Sequence, residues 1–122
     1  MAAPNIVNVT SIFGKTVTGS LDTTTTTAYL SCASNKVLKV NTIIISNKDG
    51  TNDATVTCSF YDNSATASRS LATTVNVPAD STLILIDKNT SLYLEESDQI
   101  RAGASAASDL DIIISYEEID DA

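Results

Sequence analysis

The sequence predicts an all-β chain, folded as an antiparallel, jelly-roll-like β-sandwich of eight or nine strands. Three observations predict it. No segment repeats apolar residues at three and four positions over a helical length. Period-two alternation recurs instead, most clearly from Leu110 to Glu117. Turn-forming residues interrupt these runs about every ten positions, the spacing of sandwiches and jelly rolls.

A chain of 122 residues is expected to form one domain, residues 1–122, with residues 1–10 as an arm or edge strand. A domain of that size buries roughly two thirds of its unfolded surface. With 43% hydrophobic and 18% charged residues it is too apolar to be a disordered tail. Trp is absent, so Val, Ile, Leu and Ala must build the core. Each larger aliphatic side chain contributes about 1.5–3 kcal/mol when fully buried.

Residues 5–21 alternate Ile6, Val7, Val9, Ile12, Phe13 and Val17, with Gly14 and Gly19 at intervals. This reads as a strand, a bend and a second short strand. Thr23 to Thr27 is a β-prone run leading into a strand over 28–33, and reads as an exposed edge or loop. A ligand-binding threonine ladder would need a fixed repeat, which is absent.

Residues 37–46 form a long strand that becomes apolar on both faces at Ile43, Ile44 and Ile45. Such a strand is central and buried on both sides, or is covered by a partner. Asn47 to Asp53 contains Asp49-Gly50 and predicts a hairpin into the alternating strand 54–61. Residues 62–68 form a polar turn, 70–77 a strand, and Pro78 to Ser81 a turn. A short buried strand covers 82–86, and Asp87 to Thr90 turns into the closing stretch.

That stretch, Ser91 to Ile119, reads as a short apolar strand, an acidic corner, a small-residue strand, a Ser/Ala turn and a long closing strand. In the last of these Leu110, Ile112, Ile114 and Tyr116 share one face. Cys32 and Cys58 fall on buried faces, either as reduced core thiols or as a cross-strand disulfide.

Net charge is −8. Nucleic acid demands a basic stripe and anionic membranes attract basic segments, so neither is an expected partner. No run reaches the ~18 apolar residues of a membrane helix. Met1 to Asn5 lacks the features of a signal peptide, so the chain is expected to be made and kept in a cytoplasm.

Catalytic chemistry finds little purchase. There is no His, which removes the commonest general base and metal ligand. Neither cysteine lies in a CxxC, and no glycine-rich phosphate loop appears; the four glycines are isolated and are expected at bends. Three acidic groups stand out: Glu95-Glu96-Ser97-Asp98, the Asp109/Asp111 pair, and Asn47, Asp49, Asn52 and Asp53. Each could offer oxygens to Ca²⁺ or a carboxylate pair, but each also reads as a solvated turn. No EF-hand spacing is present, and the expectation is no cofactor, no metal and no catalytic residue. A glycan site would need stacked aromatics, and Tyr29, Tyr61, Tyr93 and Tyr116 are scattered.

Several segments together carry a resemblance: Asn5 to Thr10 with Gly14-Lys15-Thr16, Ile43 to Asp62, Val77 to Leu83, and Leu92 to Ile119. Their layout resembles the small β-sandwich virion-associated proteins of tailed bacteriophages, which include capsid decoration (cement) and neck or tail accessory proteins. Members often carry a glycine where Ser97 stands. The resemblance implies a virion location and a non-enzymatic structural role, most simply as a decoration protein bound to the major capsid protein or other virion proteins. It also implies a homo-oligomer, with a trimer favoured. The alternatives are a neck, tail or fibre-associated structural protein, or a glycan-binding adhesion module. Asn5, Ile6, Val7 and Val9, in an N-terminal arm over 2–10, are the expected interaction residues, reaching a neighbour or forming an edge strand of the same domain.

Overall fold

The computed structural model describes residues 9–121, with side chains from 11 to 120. Nine strands follow one another: β1 (Val9–Ser20), β2 (Thr27–Ser31), β3 (Lys36–Asn47), β4 (Ala54–Asp62), β5 (Ala67–Val77), β6 (Thr82–Ile86), β7 (Leu92–Leu94), β8 (Gln99–Ala104) and β9 (Leu110–Asp121). A 3-10 turn, Lys88–Thr90, separates β6 from β7 and is capped by Asp87.

The strands form two antiparallel sheets. The first runs β1-β9-β3, with β6 and β7 lying end to end along the far side of β3. The second runs β2-β8-β4-β5. Counting β6 and β7 as one position, each layer is four strands wide. The chain changes layer at β1–β2, β2–β3, β3–β4, β5–β6, β7–β8 and β8–β9, which is jelly-roll wiring.

The core lies between the layers. From the first sheet come Leu38, Val40, Ile43, Ile45, Ile112 and Ile114, all buried. Val56, Cys58, Ile100 and Ala102 face them from the second. The closing strand β9 is central, with Leu110, Ile112 and Ile114 buried and Tyr116 packed against the same core, as its alternation predicts. Both thiols are buried and unbonded, so the reduced reading holds.

Three expectations are corrected. The first is the hairpin at Asn47 to Asp53. β3 and β4 belong to different sheets, and the connection arches from one layer to the other. A two-residue hairpin turn of type I′ needs positive φ at both central residues, and Gly50 does not adopt it. β3 is also flanked on both sides already, by β9 and by β6 and β7.

The second is the bend near Gly14. β1 is one strand of 12 residues that passes straight through both glycines. The third concerns glycines generally. All four have ordinary φ, while Asn35, Thr66, Thr74, Asp80, Ser97 and Ser108 take the left-handed positions.

Three glycines sit inside strands, two of them under close neighbours. A Cβ at Gly19 would lie 2.7 Å from the Tyr29 ring, which packs there and donates its hydroxyl to the Ser20 carbonyl at 3.2 Å. A Cβ at Gly103 would lie 2.7 Å from the Thr24 carbonyl oxygen and the Thr25 Cα. The threonine run is therefore a loop lying across β8, tied by Asp22, whose carboxylate accepts from the Thr24 amide at 3.0 Å.

Candidate functional site

The acidic groups divide between the two ends of the sandwich. Asp98 sits at one end and is 4% exposed. Its Oδ1 accepts the Asn63 amide at 2.9 Å and its Oδ2 the Glu95 amide at 3.0 Å. Beside it, Glu96 accepts the Asn35 amide at 3.2 Å. The corner thus spends carboxylates on closing turns, with Ser97 in the left-handed conformation at φ 70°.

The other two groups meet at the opposite end. The Lys48 amide donates to the Asp109 carbonyl at 3.0 Å, and Lys48 Nζ pairs with Asp111 at 2.9 Å. Asp49 accepts the Thr51 amide at 2.8 Å and the Asn52 amide at 3.2 Å, which hold its carboxyl below the usual range. Asp53 accepts from the Ala79 amide at 2.9 Å and from Asn76 at 3.3 Å. Asp109 lies in the turn before β9 and Asp111 within it. Among the described residues no three His, Cys, Asp or Glu side chains gather as a metal site.

A charged network spans β1, β9 and β3. Lys36 Nζ lies 2.6 Å from Asp120 and 3.4 Å from Glu118, and Lys15 lies 3.0 Å from Glu118. The Lys36 ammonium holds the Asp120 carboxyl low, and Asp120 in turn raises Lys36. These are half-exposed pairs, worth little individually.

The cysteines carry no activated thiolate. Desolvation raises Cys32 to about 11 and Cys58 to about 12. Among the tyrosines, Tyr29 fills the Gly19 slot and Tyr116 packs on the core. Tyr61 lies under the Arg101 guanidinium, 3.9 Å from ring to carbon. Tyr93 is 45% exposed and stands apart from the others. A shallow groove runs between Thr18–Ser20 and Asp111–Ile113, but its one carboxylate, Asp111, is held by Lys48.

The feature that stands out is apolar. Residues directly opposite in neighbouring strands share a face. The pairings Thr18–Ile113, Ile113–Ile44 and Ile44–Ile84 therefore lay a row of three isoleucines across the outer face of the first sheet. Ile84 is 62% exposed, and Ile44 and Ile113 are half-buried. A Thr16–Ser115–Thr42 row lies next to it, then Gly14–Glu117–Lys39–Tyr93.

Ile43 to Ile45 flagged this face, but the row itself could not be read from sequence. Register shifts at Val40/Thr42 and Ile43/Ile44 decide which residues line up. The expected arm residues Asn5, Ile6 and Val7 lie outside the described residues. Val9 opens β1, and its side chain lies outside them too.

Comparison of the chain with protein families, with curated proteins and with solved structures finds no match.

Proposed function

We propose that this protein is a non-enzymatic structural protein of a tailed-bacteriophage virion, a decoration protein that binds and stabilises the capsid shell. The observation that carries the reading is the outer face of the first sheet. There an isoleucine row lies beside Thr/Ser and Lys/Glu rows on a rigid two-layer body. Interfaces of this kind combine a small apolar centre with a polar surround. Two of the carboxylates in the acidic groups, Asp98 and Asp49, are occupied in turn closure. The layout resemblance supplies the location, since jelly rolls serve capsids and lectins alike and do not by themselves define a role. A net charge of −8 suits a basic or polar docking patch and disfavours contact with packaged DNA.

The test is to strip the protein from purified particles, add it back, and compare their survival of heat and osmotic shock. Stripped particles should burst earlier and recover on addition. Equal resistance with and without the protein would end the cement reading, and labelling at the neck or tail would move the role there.

A further inference from the structure

We infer that β1 is a docking edge that pairs antiparallel with β1 of a second copy of this chain, joining two first sheets across a two-fold axis. The argument starts from how the four sheet edges are treated. Exposed edges invite pairing, and proteins blunt them with short strands, bulges, charges or covers.

Three edges here are blunted. β2 is five residues long, with a register shift between Ala28 and Leu30. β5 has two register shifts against β4, a left-handed Thr74 and an exposed Arg69. β6 and β7 are five and three residues long, broken by the Lys88–Thr90 turn.

β1 differs. Its register with β9 is unbroken from Ser11 to Ser20, and among the described residues it has a strand on its β9 side alone. Its single charge does not guard the edge, because Lys15 turns back to Glu118 at 3.0 Å. Its first half also exposes a large apolar side chain on each face. Ile12, 54% exposed, shares the outer face with Ile119 and Val37, while Phe13, 48% exposed, shares the inner face with Leu38. Apolar groups bared on both faces of an unguarded edge fit a flanking strand.

The sequence of β1 favours a copy of itself. With Gly14 opposite Gly14 of the second copy, Phe13 falls opposite Lys15 and Ile12 opposite Thr16, each twice. The first pairing repeats a contact already present, since Lys15 Nζ sits 5.9 Å over the Phe13 ring within one chain. The second joins two β-branched side chains on the outer face. At the axis a Cβ on Gly14 would meet nothing within 4 Å. Such an interface is self-complementary and closes as a dimer, not as the trimer that the phage resemblance implies. Both copies carry −8, so added salt should strengthen pairing.

Sedimentation of the full chain across concentration tests this, independently of any capsid binding. A species of twice 12.8 kDa, favoured by salt, is expected. Phe13→Lys places a lysine opposite Lys15 of the second copy while adding an opposite charge beside Glu118 in its own chain. It should weaken the dimer about tenfold or more, with no fall in melting temperature at dilutions where both parent and variant are monomeric. Gly14→Cys should give a disulfide-linked dimer under mild oxidation, since opposed strand positions bring Cβ atoms to within about 1 Å of the roughly 3.5–4.5 Å that a disulfide spans, a gap that strand-edge movement closes. A monomer up to ~1 mM, a trimer, a dimer indifferent to Phe13→Lys, or a Gly14→Cys chain that fails to crosslink would each overturn the inference.

Discussion

The side-chain amide of Asn47 donates to the carbonyl of Val77 at 2.9 Å, tying the end of β3 to the end of β5 across the two layers. The same nitrogen reaches the Asn52 carbonyl at 3.1 Å, and its oxygen accepts the Asp49 amide at 2.9 Å. Asn47 is 2% exposed, so water cannot replace these partners. It is the clasp of the arch that stands where a hairpin was expected.

Asn47→Ala should therefore be costly. It strands a buried carbonyl and removes the support of the 48–53 arch, at roughly 2–3 kcal/mol. For a domain of this size that is a fall in melting temperature of about 6–15 °C by calorimetry. An unchanged melting temperature would show that the arch closes without its clasp.

The two strand glycines Gly14 and Gly103 should respond in opposite directions to alanine. At Gly14 there is open space, and Ala should stabilise by about 0.5 kcal/mol through lower backbone entropy in the unfolded chain. At Gly103 the new methyl meets loop backbone at 2.7 Å, and the threonine loop must lift at a cost of about 1–3 kcal/mol. Denaturant titration of the pair checks the sign of each.

Thr74 holds φ 46°, a conformation that a β-branched residue enters only under strain. Its amide donates to the Thr57 hydroxyl oxygen at 3.1 Å, a bond that stays available to any residue there. Thr74→Asn should thus raise stability by about 1 kcal/mol, read as a shift in the denaturant midpoint at constant slope.

How much of this was legible follows from which signals are local. The alternation at Leu110, Ile112 and Ile114 was readable because side-chain direction in a strand depends on parity alone. The pairing of β3 was not, because Asp49-Gly50 is compatible with either a hairpin or an arch. The choice lies with distant partners: Val77 on Asn47, and β9, β6 and β7 on β3. Gly19 and Gly103 misled for the same reason. Glycine serves at Gly103 for a neighbour almost eighty positions away, and the left-handed turns went to residues such as Asn35 and Ser97. The candidate surface was half legible. Ile44 could be seen to be an isoleucine too many, but its alignment with Ile84 and Ile113 needed the bulges.

The thiols should be inert in the native state. With Cys32 at about 11 and Cys58 at about 12, the thiolate fraction at pH 8 is smaller than that of an ordinary thiol by at least about a hundredfold. Alkylation should add no mass without denaturant and two adducts with it. Because the folded values are raised, the protonated thiols favour the native state fully below the unfolded pKa. That contribution is lost as pH climbs from ~8.5 toward 12, so stability should decline on the alkaline side.

On the acidic side the sign reverses. Asp49, Asp62 and Asp120 have lowered folded values, through the Thr51 amide, the Ser64 hydroxyl and the Lys36 ammonium respectively. Their contribution is present above the unfolded value near ~3.9 and disappears as pH falls through the folded one. Melting temperature should hold from pH 7 to about 5 and drop below about 4, and Asp49→Asn should flatten part of that drop. A melting temperature independent of pH down to 2 would mean that these turns do not need their charge.

Ile45 and Ile84, on opposite faces of the paired strands β3 and β6, separate folding from docking. Ile45 points into the core and is fully buried, so Ile45→Ala removes packed methyl groups and should cost about 2–5 kcal/mol. Ile84 points outward at 62% exposure, so Ile84→Lys should change stability by no more than about 0.5 kcal/mol. If the isoleucine row is the docking centre, that same change buries a lysine against the shell and should weaken particle binding by tenfold or more, about 1.4 kcal/mol. Ile84→Val keeps the row apolar and should bind nearly as well as the parent. Stripped particles titrated with the three variants read all of this in one co-sedimentation series. Undiminished binding by Ile84→Lys, with its fold intact, would move the docking surface off the outer face of the first sheet.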